Sequence, residues 1–334
     1  MNRRMPAIVV AVVGVVFIVL GFARNLFAVG PAFEEMIDDF RPALADEVIA
    51  TYRADIQGLG AVATEFETAV VPAMARQLGM TPAEFQGFVE QQFPAVATGV
   101  AALPRLSQEF GGLIDVLDAQ QGNFMEADAI PTDDLPATTV PWGILFVGLL
   151  TVGVGGLMWL RMRTGAVAAM AFGLLVALVA VVLSLPGKAA AADDLNEALQ
   201  PVYTQETITG AEQGLAVVGA MGQEMQAEML PALAAQLGMT QAELEGFLGQ
   251  NFPATAQALA TFPEAMSRFE ALVTTFDANL DNYETLRPVA FSPIIWTLVV
   301  GSLVVATMGA WGFFVREDEG LDLTATETRE PVEA

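Results

Sequence analysis

The sequence predicts an all-α integral membrane protein, with four transmembrane helices in two parallel tandem repeats. Each repeat is expected to run transmembrane helix, extracytoplasmic helical domain, transmembrane helix. A pseudo-twofold axis along the membrane normal is expected to relate the two. Three observations carry this. Hydrophobic residues make up 54% of the chain, with a mean hydropathy of +0.51, yet the net charge is -25, so apolar and acidic residues are segregated along it. Four apolar runs, at 7–29, 140–160, 165–185 and 293–314, reach the ~20 residues a helix needs to cross a bilayer, and none contains Asp, Glu or Lys. Finally, QLGMTPAEFQGFVEQQFPA at 77–95 recurs as QLGMTQAELEGFLGQNFPA at 236–254, offset by 159 residues without a gap.

Residues 1–6 form a short N-terminal segment before the first span at 7–29. A basic start and an apolar core also fit a cleaved signal peptide. The repeat partner at 165–185 lies mid-chain, which argues for retention of both. Gly30-Pro31 is expected to close the first span. Positive charge sets orientation. Arg3 and Arg4 precede the first span, Arg161 and Arg163 fill the turn at 161–164, and Arg316 follows the fourth span. Against them stand Arg24 and Lys188. This bias predicts cytoplasmic termini, a cytoplasmic turn and two extracytoplasmic domains at 30–139 and 186–292, in a cell membrane.

The first of these domains opens on Glu34, Glu35, Asp38 and Asp39. Such a run is a solvated face in most helices. Four carboxylates at this spacing are also a candidate Ca²⁺ or Mg²⁺ site; the aligned Asp193, Asp194, Glu197 and Ala198 weaken that reading. A long helix is expected from about 44 to 78, with its partner at about 202–237. Val62, Phe66 and Val70 fall on one face of it. Their partners Met221, Met225 and Met229 form a methionine stripe, read beside them as core packing rather than as a ligand set.

The repeated motif reads as structure. Gly79 and Gly238 are helix stops that take the left-handed conformation. Thr81 with Glu84, and Thr240 with Glu243, are capping boxes, and Pro82 suits a first helical position. A short helix at 82–92 carries Phe85, Phe88 and Val89. The dipeptides Phe93-Pro94, Leu103-Pro104 and Phe262-Pro263 are expected to be corners, because the residue before proline avoids the helical region. A last helix at about 104–124 places Leu106, Phe110, Leu113 and Leu117 on one face, matched by Phe269, Leu272 and Phe276. From 72–124 to 231–283, about 24 of 53 positions are identical, mostly apolar residues, glycines, prolines and caps.

Residues 125–139 are expected to link the first domain to the second span at 140–160. Aligning Pro141 with Pro293 and Trp159 with Trp311 shifts the offset to 152 for the fourth span at 293–314. Tryptophans near the span ends suit the headgroup region. Gly165, Ala169, Gly173 and Ala177 line one face of the third span, as Ser302, Ala306 and Ala310 line the fourth; small residues let helices approach closely. The acidic tail at 315–334 is expected to be disordered, with Thr324, Thr326 and Thr328 as acceptors for phosphorylation.

No catalytic, cofactor-binding or metal residue is assigned. The chain holds neither cysteine nor histidine, which removes the commonest general base and the soft metal ligands. No phosphate loop, dinucleotide fingerprint or nucleophile elbow is present. The acidic balance inverts the footprint that nucleic-acid binding requires. A non-enzymatic bacterial envelope protein is expected, its paired acidic headpieces acting in structure or in interaction with another envelope protein or with a second copy. The alternatives are a transporter, channel or lipid-handling protein with a hydrophobic headpiece cavity, or a membrane sensor. The bilayer is the one partner the composition itself implies.

Overall fold

The computed structural model describes residues 4–132 and 134–314. It is helical throughout, with no β-strand among the described residues. Four of its helices are long and apolar enough to cross a membrane: α1 (Met5–Ala23), α7 (Thr139–Leu160), α8 (Met162–Val182) and α15 (Phe291–Phe314), with mean hydropathies of 2.8, 2.1, 2.6 and 1.9. This is consistent with a membrane protein. The tail at 315–334, with Thr324, Thr326 and Thr328, lies outside the described residues, as does Asp133.

The chain divides into two compact units. Of the described residues, the first gathers the four apolar helices with those at 4–37, 122–197 and 282–314. In it α1 packs along α7 and α8 along α15, and the ring closes through α7 with α8 and α1 with α15. Small residues make these contacts. A methyl group on Gly14 would fall 2.7 Å from the Val152 amide nitrogen, and one on Gly155 would fall 2.8 Å from that of Ala11. Gly173 lies against the Ser302 carbonyl and Gly309 against Met170 and Ala166. The expected stripe Gly165, Ala169, Gly173 and Ala177 is buried, and so are Ser302 and Ala306. Val12, Val19, Phe146, Leu178 and Val300 are exposed around the outside, the surface a lipid-embedded bundle presents. Gly14 meets residues 148 and 152, Gly173 meets 302 and 306, Gly155 meets Ala11, and Gly309 meets Met170.

The first span ends earlier than expected. α1 stops at Ala23, Asn25 takes φ 51°, and α2 (Leu26–Phe40) begins at once. Asparagine enters the left-handed region at little cost, so a single residue turns the chain. Ser184 (φ 53°) does the same between α8 and α9 (Leu185–Leu199). Gly30 and Pro31 lie inside α2 and close nothing. Gly30 serves close packing instead: a methyl group there would fall 3.3 Å from the Thr138 Cα.

The second unit joins Asp38–Gln121 with Ala198–Asp281. The two inter-span segments, expected as domains side by side, share this one unit. From the first segment come α3 (Asp46–Glu65), α4 (Val71–Gln77), α5 (Pro82–Gln92) and most of α6 (Pro94–Asp128). From the second come α10 (Gln205–Glu224), α11 (Leu230–Leu237), α12 (Gln241–Asn251) and α13 (Pro253–Ala278), followed by α14 (Leu280–Leu286) at the border. α13 packs on both α3 and α10. Phe110 and Tyr52 stack on Phe269, and Phe40 and Tyr203 on Phe276.

The motif behaves as read. Gly79 and Gly238 have φ of 69° and 68°. Both capping boxes form, with Thr81 and Thr240 each accepting from the amide three residues on. α5 spans the expected residues, and Phe93 ends it before Pro94. The other two prolines correct the reading. α6 runs through Pro104 and α13 through Pro263 without a corner. Each proline forfeits one backbone bond, but both rings are exposed, while the helix faces are held by packing. Gly99 lies against Met221 and Gly222 against Phe262. Tertiary contact overrides the local preference.

Candidate binding cleft in the headpiece unit

The site begins with two widened turns. Residues Phe66–Val70 and Met225–Met229 are π-helical. The Val71 amide bonds the Phe66 carbonyl, and the Leu230 amide bonds that of Met225, each five residues back. A proline follows at once, Pro72 or Pro231. Its ring clashes with the carbonyl four residues earlier in a regular helix, and widening the turn relieves this. Such turns re-aim side chains and recur at functional sites.

Here they bring the two apolar stripes together. Phe66, Val70, Met221, Met225 and Met229 are buried, as core packing requires, and with Val62 they line one cavity of about 60 Å³. Thr255 also lines it; its hydroxyl has no hydrogen-bond partner and the residue is only 7% exposed.

Leu59, Ala258 and Phe262 are common to this cavity and to a larger cleft of about 400 Å³. The cleft walls are Leu106, Phe110, Leu215, Val218, Met266 and Phe269. Its polar groups are few: Asp55, Gln57, Gln257 and Thr261. Both Asp55 carboxylate oxygens accept from the Arg268 guanidinium: Oδ2 at 3.0 Å from Nε and 2.8 Å from Nη2, and Oδ1 at 2.9 Å from Nη2. The side chains of this ion pair are only 13% and 31% exposed. The Tyr52 hydroxyl donates to the Arg268 carbonyl at 3.3 Å, and burial raises the Tyr52 pKa above its ordinary value. The opposite register is unlike this. Gly214 stands 159 residues after Asp55, and its empty side is filled by Leu106.

Two carboxylates brace the same unit across its segments. Glu65, the last residue of α3, accepts from the Thr255 amide at 2.7 Å and the Ala254 amide at 3.4 Å, in the first turn of α13. Glu224, the last residue of α10, accepts from the Val96 amide at 2.7 Å, in the first turn of α6. Both carboxylates and both amides, 96 and 255, are 159 residues apart. α6 and α13 follow phenylalanines, which cannot cap, so the acid comes from the other segment.

The acidic run at 34–39 also caps and braces. Glu34 accepts from the Thr138 amide at the start of α7, and Asp193 accepts from the Phe291 and Ser292 amides at the start of α15. A carboxylate there opposes the positive end of the helix dipole. Asp38 pairs with Arg41 and Asp39 accepts from Asn279. The alternative reading of this run as a cation site finds no support: among the described residues no group of three or more carboxylates converges on a metal position. Sequence reasoning missed Glu65 and Glu224, although an acid repeated in register just before a proline-bearing turn was a usable signal. Asp55 and Arg268 left none, since their register partners are Gly214 and Glu109.

Among the described residues, fold and cleft together define an all-helical protein with four helices long and apolar enough to cross a membrane and a second helical unit holding an apolar cleft. Compared with protein families and with curated proteins, the chain matches none.

Proposed function

We propose that this is a non-enzymatic membrane protein whose headpiece unit binds an apolar or amphiphilic molecule of lipid type in the cleft between α3, α6, α10 and α13. The observation that carries this is the cleft: about 400 Å³ of mainly aliphatic and aromatic wall, continued inward by the methionine-lined cavity, with one ion pair beside it. Ligand sites have this size and this ratio of apolar wall to placed polar groups. In keeping with a binding role, the chain has no histidine or cysteine, the side chains that most often serve as general base and as thiol nucleophile. We further read the chain as two parallel repeats about a pseudo-twofold axis along the membrane normal. Both termini and the Arg161–Arg163 turn lie on the cytoplasmic side in this reading, and both inter-span segments lie outside. The paired braces of Glu65 and Glu224 and the paired returning-span caps of Glu34 and Asp193 support it.

Native mass spectrometry of the full-length protein, purified in detergent, tests the cleft. A lipid bound in the cleft is expected, and Ala258→Trp, which fills the junction of cavity and cleft, is expected to lower the number of lipids retained per chain by one. Unchanged retention in that variant, with helicity preserved, would refute the site. Protein interaction is the second reading, favoured by the net charge of -25 carried on so few cations. Cross-linking in cells that captures an envelope partner, in wild type and Ala258→Trp alike, would favour it instead.

A further inference from the structure

In a chain this acidic, three arginines converge among the described residues. Arg4, Arg161 and Arg163 line a single pocket of about 500 Å³ in the span unit, with Trp159, Thr164 and Met162 around it. Its floor is apolar and closed: Ala7, Met158 and Gly312 are buried there. The sequence dictates this convergence. α7 and α8 are joined by Arg161 alone, at φ -134° and ψ 81°. The turn is this tight because Gly165 lies directly against the backbone of Met158, where a side chain would collide. The two arginines of the turn therefore sit beside the start of α1, which brings Arg4.

Aromatic rings hold two of the three guanidinium groups in place. Arg4 lies 4.3 Å over the Trp159 ring and Arg163 lies 5.7 Å from the Phe313 ring. Stacking on a ring leaves the edge N–H donors of a guanidinium free to bond an anion. None of the three arginines pairs with a carboxylate among the described residues, whereas Arg41, Arg53, Arg105 and Arg268 all do. The pocket lies at the end of the apolar helices, and its tryptophan is of the kind that settles at headgroup level.

We propose that this pocket binds the phosphate headgroup of an anionic phospholipid, with the three arginines as its donors and the apolar floor receiving the start of the acyl region. Basic pockets between membrane helices recognise such headgroups, and a guanidinium fork matches phosphate oxygens in pairs. The proposal rests on the membrane reading and is independent of the headpiece cleft.

The test is lipid titration of the full-length protein in detergent, where orientation in a membrane plays no part, read by native mass spectrometry. Phosphatidylglycerol is expected to be retained in preference to phosphatidylcholine. Arg4→Gln and Arg161→Gln are each expected to weaken retention about fivefold, since each basic group near an anionic surface contributes about that factor. The triple variant R4Q/R161Q/R163Q should lose the preference altogether. Arg105→Gln, on the headpiece, should keep it, and so should a chain ending at residue 314. Equal retention of the two lipids overturns the proposal, as does a preference that survives the triple variant. A preference seen only after removal of residues 315–334 also overturns it, because the acidic tail would then be the occupant. Recovery of the protein from membranes without detergent would instead sink the membrane reading itself.

Discussion

Glu84 and Glu243 each accept the amide of the threonine that caps their own helix, at 2.8 Å, and the threonine hydroxyl as well. Bonds to the charged form favour it, and both carboxyls are held below the ordinary glutamate value of 4.5, the backbone bond being the larger cause. The sign follows. A lowered folded pKa gives stability that is present above pH 4.5 and lost as pH falls through the folded value beneath it. Amide exchange across Pro82–Gln92 and Gln241–Asn251, corrected for intrinsic rates, should lose protection on acidification below 4.5. Glu84→Gln should remove that pH dependence in the first helix and leave it in the second. Equal acid sensitivity in wild type and variant would show that the boxes do not govern these helices. These residues were fully legible in the sequence, because a capping box is local: four positions determine it, and no distant contact competes.

Elements were legible where their cause is local or periodic. Four spans follow from hydropathy, and the closeness of α8 and α15 follows from a row of small residues. What failed depends on single backbone angles or on distant side chains. A one-residue left-handed turn at Asn25 or Ser184 leaves no hydropathy trace, so the first span was read past its end. Pro104 and Pro263 were read as corners because their neighbours in space, across α10, are invisible in the local sequence. The cleft is the extreme case. Its walls come from four helices of two segments, and Asp55 meets Arg268 across 213 residues. The small-residue contact itself makes a prediction. Gly173→Ala would drive a methyl group into the Ser302 carbonyl and to 2.7 Å from the Ala306 amide. Overpacking of this kind costs about 1–3 kcal/mol, because two backbones must part. Gly153→Ala in α7 meets nothing within 4 Å and should be neutral or gain up to about 1 kcal/mol of helix preference. Steric-trap or denaturant unfolding in detergent separates the two; equal stability would mean that α8 and α15 are not in close contact.

The headpiece unit is held by exchange between its two segments. Each long helix that follows the motif, α6 or α13, begins without a cap of its own and takes one from the helix before the π turn in the other segment. Glu65 holds α13, and Glu224 holds α6. Neither inter-span segment can then complete its helices alone, which explains why the two share one compact unit rather than forming two. Glu65→Ala removes both oxygens from the amides of Ala254 and Thr255, and Thr255 is buried. An amide left unbonded in the interior costs about 1–3 kcal/mol. The loss should not stay in α13. Because the brace ties residues 38–121 to 198–281, faster amide exchange is expected in both segments, and Glu224→Ala should reproduce it from the other side. Unfolding of the headpiece unit should remain a single transition at a lower denaturant concentration. If Glu65→Ala instead loosens α13 alone and leaves α3 and α6 protected as before, the segments are independent domains in contact, and the exchange of caps is incidental to stability.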